Sequence, residues 1–326
     1  MGMIMGSWVA QALGAAARLG IADALVAGPA DSATVASKCS SDPDCTRRLL
    51  RALSSIGVFA STGADQWSLT PMGECLRSDV PNSLRAFVIA ETDHAHWATW
   101  ERFTESVRTG APQAEAALQC KPWDYYAQHP ADGEMFSRAM AGLSGMAIGP
   151  VLQTYDFAGA GVIADVGGAH GALLAAILGA TPAARGILFD LPNVVESAKV
   201  PLDRGGVANR IELVAGSFLD AAVPTADLYL LKHILHDWAD EESVAILRNV
   251  RAGMKPTSRV LVIEFVVPEP AVPGPAMLMD LNMMVMLGGR ERSAAEYDVL
   301  LQRAGLRTLR VIPTQSPIGI IEAGAA

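Results

Sequence analysis

The sequence predicts a two-part α/β protein: an N-terminal helical region closing on a hairpin in winged-helix order, then a Rossmann-like, mostly parallel sheet. Three observations predict it. From Phe157 onward, short apolar runs alternate with helical segments. The first of these runs opens a glycine turn, Asp165-Val166-Gly167-Gly168-Ala169-His170-Gly171, and the second ends in an acid, Asp190, about twenty residues on. Before residue 110 the pattern is helical, apart from two short extended runs around a polar turn.

The elements follow in order. Helical periodicity marks 8–17, 21–26, 33–38 and 44–56, with Gly57 placed as a C-terminal stop. Val58-Phe59 and Trp67-Ser68-Leu69, on either side of a polar turn at 61–66, read as a small hairpin. Helical pattern resumes over 97–149, interrupted at 112–122, and reads as a bridge. Strands are expected at 162–166, 187–189, 211–214, 228–231 and 260–265, with helices between them. Ser293-Ala294-Ala295-Glu296 is a capping box that opens a helix stopping at Gly305, and strands at 309–312 and 318–321 close the chain. The expected division is 1–110, 111–156 and 157–326.

Composition narrows the function. The 326 residues suffice for two cores. Hydrophobic residues make up 51% and charged ones 18%, which predicts apolar surface buried between chains as well as within them, most simply in a homodimer. Arg47, Arg48 and Arg51 would lie on a recognition helix if the hairpin region bound DNA. Residues 1–115 nevertheless carry 9 basic against 12 acidic side chains, and the whole chain carries −9, so nucleic acid and anionic membranes are excluded as partners. Cys39, Cys45, Cys75 and Cys120 show no paired spacing and read as free thiols of a cytoplasmic protein. Residues 1–20 are apolar without a basic start or cleavage site, and the Met-rich run 276–287 is too short to span a bilayer.

The glycine turn brings backbone close to a ligand, although glycines at such turns also serve packing. A dinucleotide fingerprint fails in both registers, giving Gly167, Ala169, Ala172 or Gly168, His170, Leu173. The remaining Asp165-x-Gly167-x-x-x-Gly171 suits a nucleoside cofactor without a phosphate to cradle, such as S-adenosylmethionine. Asp190 stands where a ribose diol would donate hydrogen bonds. Leu230-Leu231-Lys232-His233-Ile234-Leu235-His236-Asp237-Trp238 leaves a buried strand at the sheet's carboxyl edge, where ligands bind. There His236 can take a proton near neutral pH, with Asp237 or another carboxylate to orient it. Glu264 ends an apolar strand, where a carboxylate needs a partner or a task, and Glu291 follows Gly288-Gly289-Arg290. His233 and His236 lack a third His or Cys, so no metal is expected.

These segments, with Phe189-Asp190-Leu191-Pro192, Gly216-Ser217-Phe218 and Gly288-Gly289-Arg290-Glu291-Arg292, occur in an order that resembles the S-adenosylmethionine-dependent O-methyltransferases of the caffeate and antibiotic-biosynthesis type. The resemblance covers almost the whole chain and implies a class I methyltransferase fold behind an intertwined, winged-helix-like dimerisation region that binds no DNA. It implies Gly167 at the cofactor backbone, Asp190 on the ribose, Leu191 and Phe218 against the adenine, and Ser217 and Lys232 beside it. His236 would be the general base, flanked by Glu264 and Glu291. Asn282, Met283 and Met286, with Trp97, Phe136 and Met140, would line the site of a small hydroxylated aromatic acceptor. Two positions depart from the pattern: Ala169 replaces the turn's middle glycine, and Ser217 stands where the family usually has an acid. The implied products are a methyl ether and S-adenosylhomocysteine, without a metal. N-methylation, non-methylating cyclase or hydroxylase chemistry, and a ligand-sensing winged-helix regulator are the alternatives.

Overall fold

The computed structural model describes residues 1–80, 83–204, 206–220 and 222–326. They form two units, Met1–Glu101 with Ala114–Leu143, and Arg102–Gln113 with Ser144–Ala326. The expected bridge, 111–156, contributes to both.

In the first unit, helices Gly6–Leu19, Ile21–Ala24, Ser32–Cys39 and Pro43–Ser54 precede a hairpin of β1 (Phe59–Gly63) and β2 (Gln66–Leu69). Local chemistry sets their ends. Asp31 and Asp42 accept hydrogen bonds from the amides of Thr34 and Cys45 as N-caps, and Pro43 begins its helix where a missing N–H costs nothing. Gly57 takes φ +82 after the last helical turn. Ile21, Leu25, Val35, Leu50, Leu53, Phe59 and Trp67 pack into this unit's core. The stretch 112–122, expected to be irregular, contains a short helix, Ala114–Leu118.

The second unit is built on β3 (Val162–Val166), β4 (Arg185–Asp190), β5 (Ile211–Ala215), β6 (Leu228–Lys232), β7 (Arg259–Val267), β8 (Arg292–Ser293), β9 (Leu306–Pro313) and β10 (Ile318–Ala325). The order is β5-β4-β3-β6-β7-β10-β9, with β8 beside β7. Only the pairings of β10 with β7 and β9 are antiparallel. The central strands read as continuous apolar runs because helices cover both faces, leaving β7 residues Val260 to Ile263 fully buried. Strand order reverses at β3, whose neighbours are β4 and β6. A reversal of this kind opens a crevice at the strands' carboxyl ends. The capping box at Ser293 and Glu296 forms as expected. No helix among the described residues is long and apolar enough to cross a membrane.

Candidate active site

Four neighbouring strands deliver the sequence-predicted residues to one edge of the second unit. β3 ends just before Gly167, β4 at Asp190 and β6 at Lys232, and Glu264 lies near the end of β7. Gly167 has φ +71, and a Cβ there would come within 2.5 Å of the Ile234 side chain and 3.2 Å of Phe218. A side chain at this point would fill the approach to the turn, so the bare backbone is required twice over. The Asp190 carboxylate accepts hydrogen bonds from the amides of Ala169 (2.9 Å) and Leu191 (2.7 Å). Each of its oxygens keeps a second lone pair, the capacity a ribose diol would use. Leu191 is 49% exposed beside it, and Phe218 packs edge-on against Trp238 at 6.0 Å. The Ser217 hydroxyl accepts from the amide of Leu219. Lys232 donates to the Ser144 hydroxyl at 2.8 Å. Burial pushes the Asp165 carboxyl up to about 6, against the pull of Lys232. This donor set, with no cluster of cations, fits an uncharged nucleoside head.

The loop after β6 is held from three sides. His233 sits in the left-handed region at φ +53, and its amide donates to the carbonyl of Ile263. Buried Glu264 then accepts the amides of Ile234 and Leu235 through one oxygen, both at 3.0 Å. The carboxylate on the apolar strand thus orders the backbone that leads into the 3₁₀ turn Leu235–Asp237. Its second oxygen lies 3.6 Å from His233 Nδ1 and 3.8 Å from His236 Nδ1. The His236 ring is oriented by Glu291, whose Oε1 lies 2.8 Å from Nδ1, while Asp237 stands 3.6 Å from Nε2, beyond hydrogen-bond reach. With the proton on Nδ1 directed to Glu291, Nε2 carries the free lone pair.

Two residues of the Gly288-to-Arg292 motif, to which the sequence assigned no role, complete this clasp. Gly289 lies so close that a Cβ would fall 2.1 Å from the carbonyl oxygen of His236, which itself accepts the amide of Arg290. Arg292 is 1% exposed and donates to the carbonyls of Leu235 and Trp238, each at 2.8 Å, and to Asp240. Asp280 accepts the amide of Glu291.

Electrostatics follow from this packing. Burial alone would lower the basicity of His236, but the charge of Glu264, the hydrogen bond to Glu291 and the charge of Asp237 outweigh it and raise the pKa to about 10. Burial opposes ionisation of Glu264, yet the charge of His236, the nearby His233 ring and the amide of Ile234 hold its pKa below the usual carboxylate range. Burial dominates at Glu291, pushing it up to about 7. His233, His236 and Glu264 present donor atoms within 4.8 Å of one another and so could hold a metal ion, in competition with the His236–Glu291 bond.

The expected acceptor residues divide between the units. Asn282, Met283 and Met286 lie on the second unit's helix Ala276–Met286, with Asn282 and Met286 buried. Trp97, Phe136 and Met140 lie in the first unit, where Trp97 is 41% exposed and Phe136 stacks on Tyr126.

Comparison with known proteins identifies the family. The O-methyltransferase domain profile matches residues 100–307, and the O-methyltransferase dimerisation domain profile matches residues 1–79. The chain is 37% identical to the phenazine O-methyltransferase PhzM of Lysobacter antibioticus, over 98% of this chain and 94% of that protein. It is also 37% identical to the mitomycin biosynthesis 6-O-methyltransferase of Streptomyces lavendulae, over 98% and 92%. The crystal structure of CalO1, a methyltransferase of calicheamicin biosynthesis in its SAH-bound form, superposes with a TM-score of 0.93 at 36% identity, covering 100% of this chain and 96% of that one. The chain belongs to the S-adenosylmethionine-dependent O-methyltransferase family.

Proposed function

We propose that the chain methylates a phenolic hydroxyl of an aromatic secondary metabolite, with His236 as the general base. The hydrogen bond between His236 Nδ1 and Glu291 at the carboxyl edge of the sheet carries this reading. S-adenosylmethionine, when bound, supplies a methyl group on a sulfonium, open to displacement by an in-line oxygen. Gly167, Asp190, Leu191, Ser217, Phe218 and Lys232 hold the cofactor. Nε2 of His236 takes the hydroxyl proton, Glu291 holds the ring in the tautomer that leaves Nε2 free, and Glu264 stabilises the imidazolium that forms. A base raised to about 10 matches a phenol, whose own pKa is about 10, so proton transfer between them is close to balanced. The phenazine substrate of one relative supports an aromatic acceptor. Asn282, Met283 and Met286, together with Trp97, Phe136 and Met140, serve acceptor binding; the soft methionine side chains suit a flat ring. Functionally, residues 1–110 serve dimerisation, 111–156 acceptor recognition, and 157–326 cofactor binding and catalysis.

Mass spectrometry of the protein with S-adenosylmethionine and a panel of phenols, naphthols, anthraquinones and phenazines tests the reading. A product heavier by one methylene is expected, together with S-adenosylhomocysteine; cofactor binding with no methylated product from any hydroxylated member would count against it. Asp190→Ala is expected to weaken S-adenosylhomocysteine by about 1–3 kcal/mol, the scale of hydrogen bonds to a charged group, as read by calorimetry.

The protein acts as a homodimer in the cytoplasm. Support for the dimer is the matched dimerisation domain and the exposed apolar residues Met1, Met3, Ile4 and Trp8 at its start. Four unpaired cysteines support a reducing compartment. Light scattering at micromolar concentration is expected to give twice the 34.2 kDa chain mass. Removal of residues 1–20 is expected to cause aggregation by exposing the partner surface; a stable monomer in either case would contradict the assignment.

A further inference from the structure

The first unit contains a second buried ionisable cluster, beside Trp97 and Phe136, and a role for it rests on their assignment to acceptor binding. Glu91 ends the helix Arg85–Glu91, and Asp93 accepts the amide of His96, which lies within the helix His94–Glu101. His96 is 3% exposed, with Nε2 at 3.4 Å from Glu91 and Nδ1 at 3.6 Å from Asp93. Neither distance suits a strong hydrogen bond, and Nδ1 makes none among the described residues. The Tyr126 hydroxyl is likewise buried and without a hydrogen-bond partner. The acids raise its pKa further above that of an ordinary phenol, after burial, the largest cause.

Aromatic rings surround these atoms. Phe136 stacks on Tyr126 at 4.8 Å, faces the His96 ring at 6.4 Å, and meets the edge of Trp123 at 6.0 Å. Trp123 is 61% exposed and the Glu91 side chain 28%, so these two members of the cluster reach the surface. Burial works against protonation of His96, but neighbouring Asp93 and the charge of Glu91 outweigh it and raise the pKa; two carboxylates against one imidazole nevertheless leave acceptor capacity and net negative charge within aromatic walls. A buried acceptor left unmet is costly, and a hydrogen-bond donor that approaches these carboxylates relieves it. Electron-rich ring faces attract a flat ring and a positively polarised nitrogen alike. A carboxylate in the same place would be repelled by Glu91 and Asp93.

We infer that Glu91, Asp93, His96, Trp123, Tyr126 and Phe136 form a binding site for an aromatic molecule carrying an amino group. The nitrogen donates to Glu91 and to the Tyr126 oxygen, while its ring lies against Trp123 and Phe136.

Calorimetry on the full-length protein without cofactor tests this directly, so the outcome does not depend on methyl transfer. The probes are 5-amino-1-naphthol, 1-naphthol and 5-hydroxy-1-naphthoic acid, which place an amine, a hydrogen or a carboxylate on one ring system. The amine is expected to bind about tenfold more tightly than the unsubstituted naphthol, a difference of about 1.4 kcal/mol, and the carboxylate more weakly than either. Glu91→Gln and Tyr126→Phe, both near-isosteric, are each expected to shrink the preference to twofold or less, with the melting temperature as a control on folding. Equal affinity for the amine and the unsubstituted naphthol, or a preference that persists in folded Glu91→Gln and Tyr126→Phe, overturns the assignment.

Discussion

Replacing His236 with Ala is expected to lower turnover by roughly 10²- to 10⁴-fold, the usual contribution of a positioned general base, with S-adenosylhomocysteine affinity nearly unchanged. The proton it takes is on the acceptor, so binding of the donor should not register its loss. The wild-type pH profile should distinguish a base from a packing residue. Glu264 and Glu291 hold the His236 pKa at about 10, so the neutral ring that accepts a proton becomes more abundant as pH rises, and the rate should climb from pH 6.5 towards that value. Glu264→Gln sharpens the test. Its side-chain oxygen can still accept the amides of Ile234 and Leu235, but the largest contribution raising the His236 pKa is gone. The rising limb should therefore move to lower pH. Single-turnover rates across pH for the wild type and both variants measure this; wild-type turnover in a folded His236→Ala protein rules out the base.

Much of this site is legible in the sequence because its residues stand at the ends of strong signals. The apolar runs that became β4, β6 and β7 need no tertiary information to be read, and Asp190, His236 and Glu264 are conspicuous as polar groups at or near their carboxyl ends. What Glu264 does was less accessible. A carboxylate near a histidine suggests ring orientation, whereas it binds the two amides that open the turn, 29 and 30 residues away in the chain. Glycine at 289 reads as loop freedom, although its necessity comes from the carbonyl of His236. The helix Ala114–Leu118 was hidden between Pro112 and Pro122, which both read as breaks, though neither proline lies inside it. Of the cluster around His96 the sequence assigned a role only to Phe136, since its members come from separate helices that only the tertiary structure brings together.

Arg292 is the instructive case, and its removal is the second large effect expected. In the run Arg290-Glu291-Arg292 it resembles an ordinary surface cation, yet its guanidinium is almost wholly buried and binds the carbonyls of Leu235 and Trp238 on either side of His236. Its Asp240 partner is 45% exposed, so the ion pair itself contributes modestly. The fork into the two carbonyls is the larger contribution: Arg292→Met keeps much of the volume but leaves those buried acceptors without their charged donor. A cost of roughly 3–5 kcal/mol is expected, the range for breaking a buried charged network, which corresponds to a melting temperature lower by about 10 °C. Turnover should fall as well, because the loop that presents His236 loses its anchor while Glu291 remains. Lysine at this position supplies charge without the planar fork, so Arg292→Lys should recover part of the stability and less of the rate. Thermal unfolding and turnover measured together decide the matter: a melting temperature within 2 °C of wild type in Arg292→Met, with unchanged turnover, would show that Glu264 and Glu291 hold the loop without it.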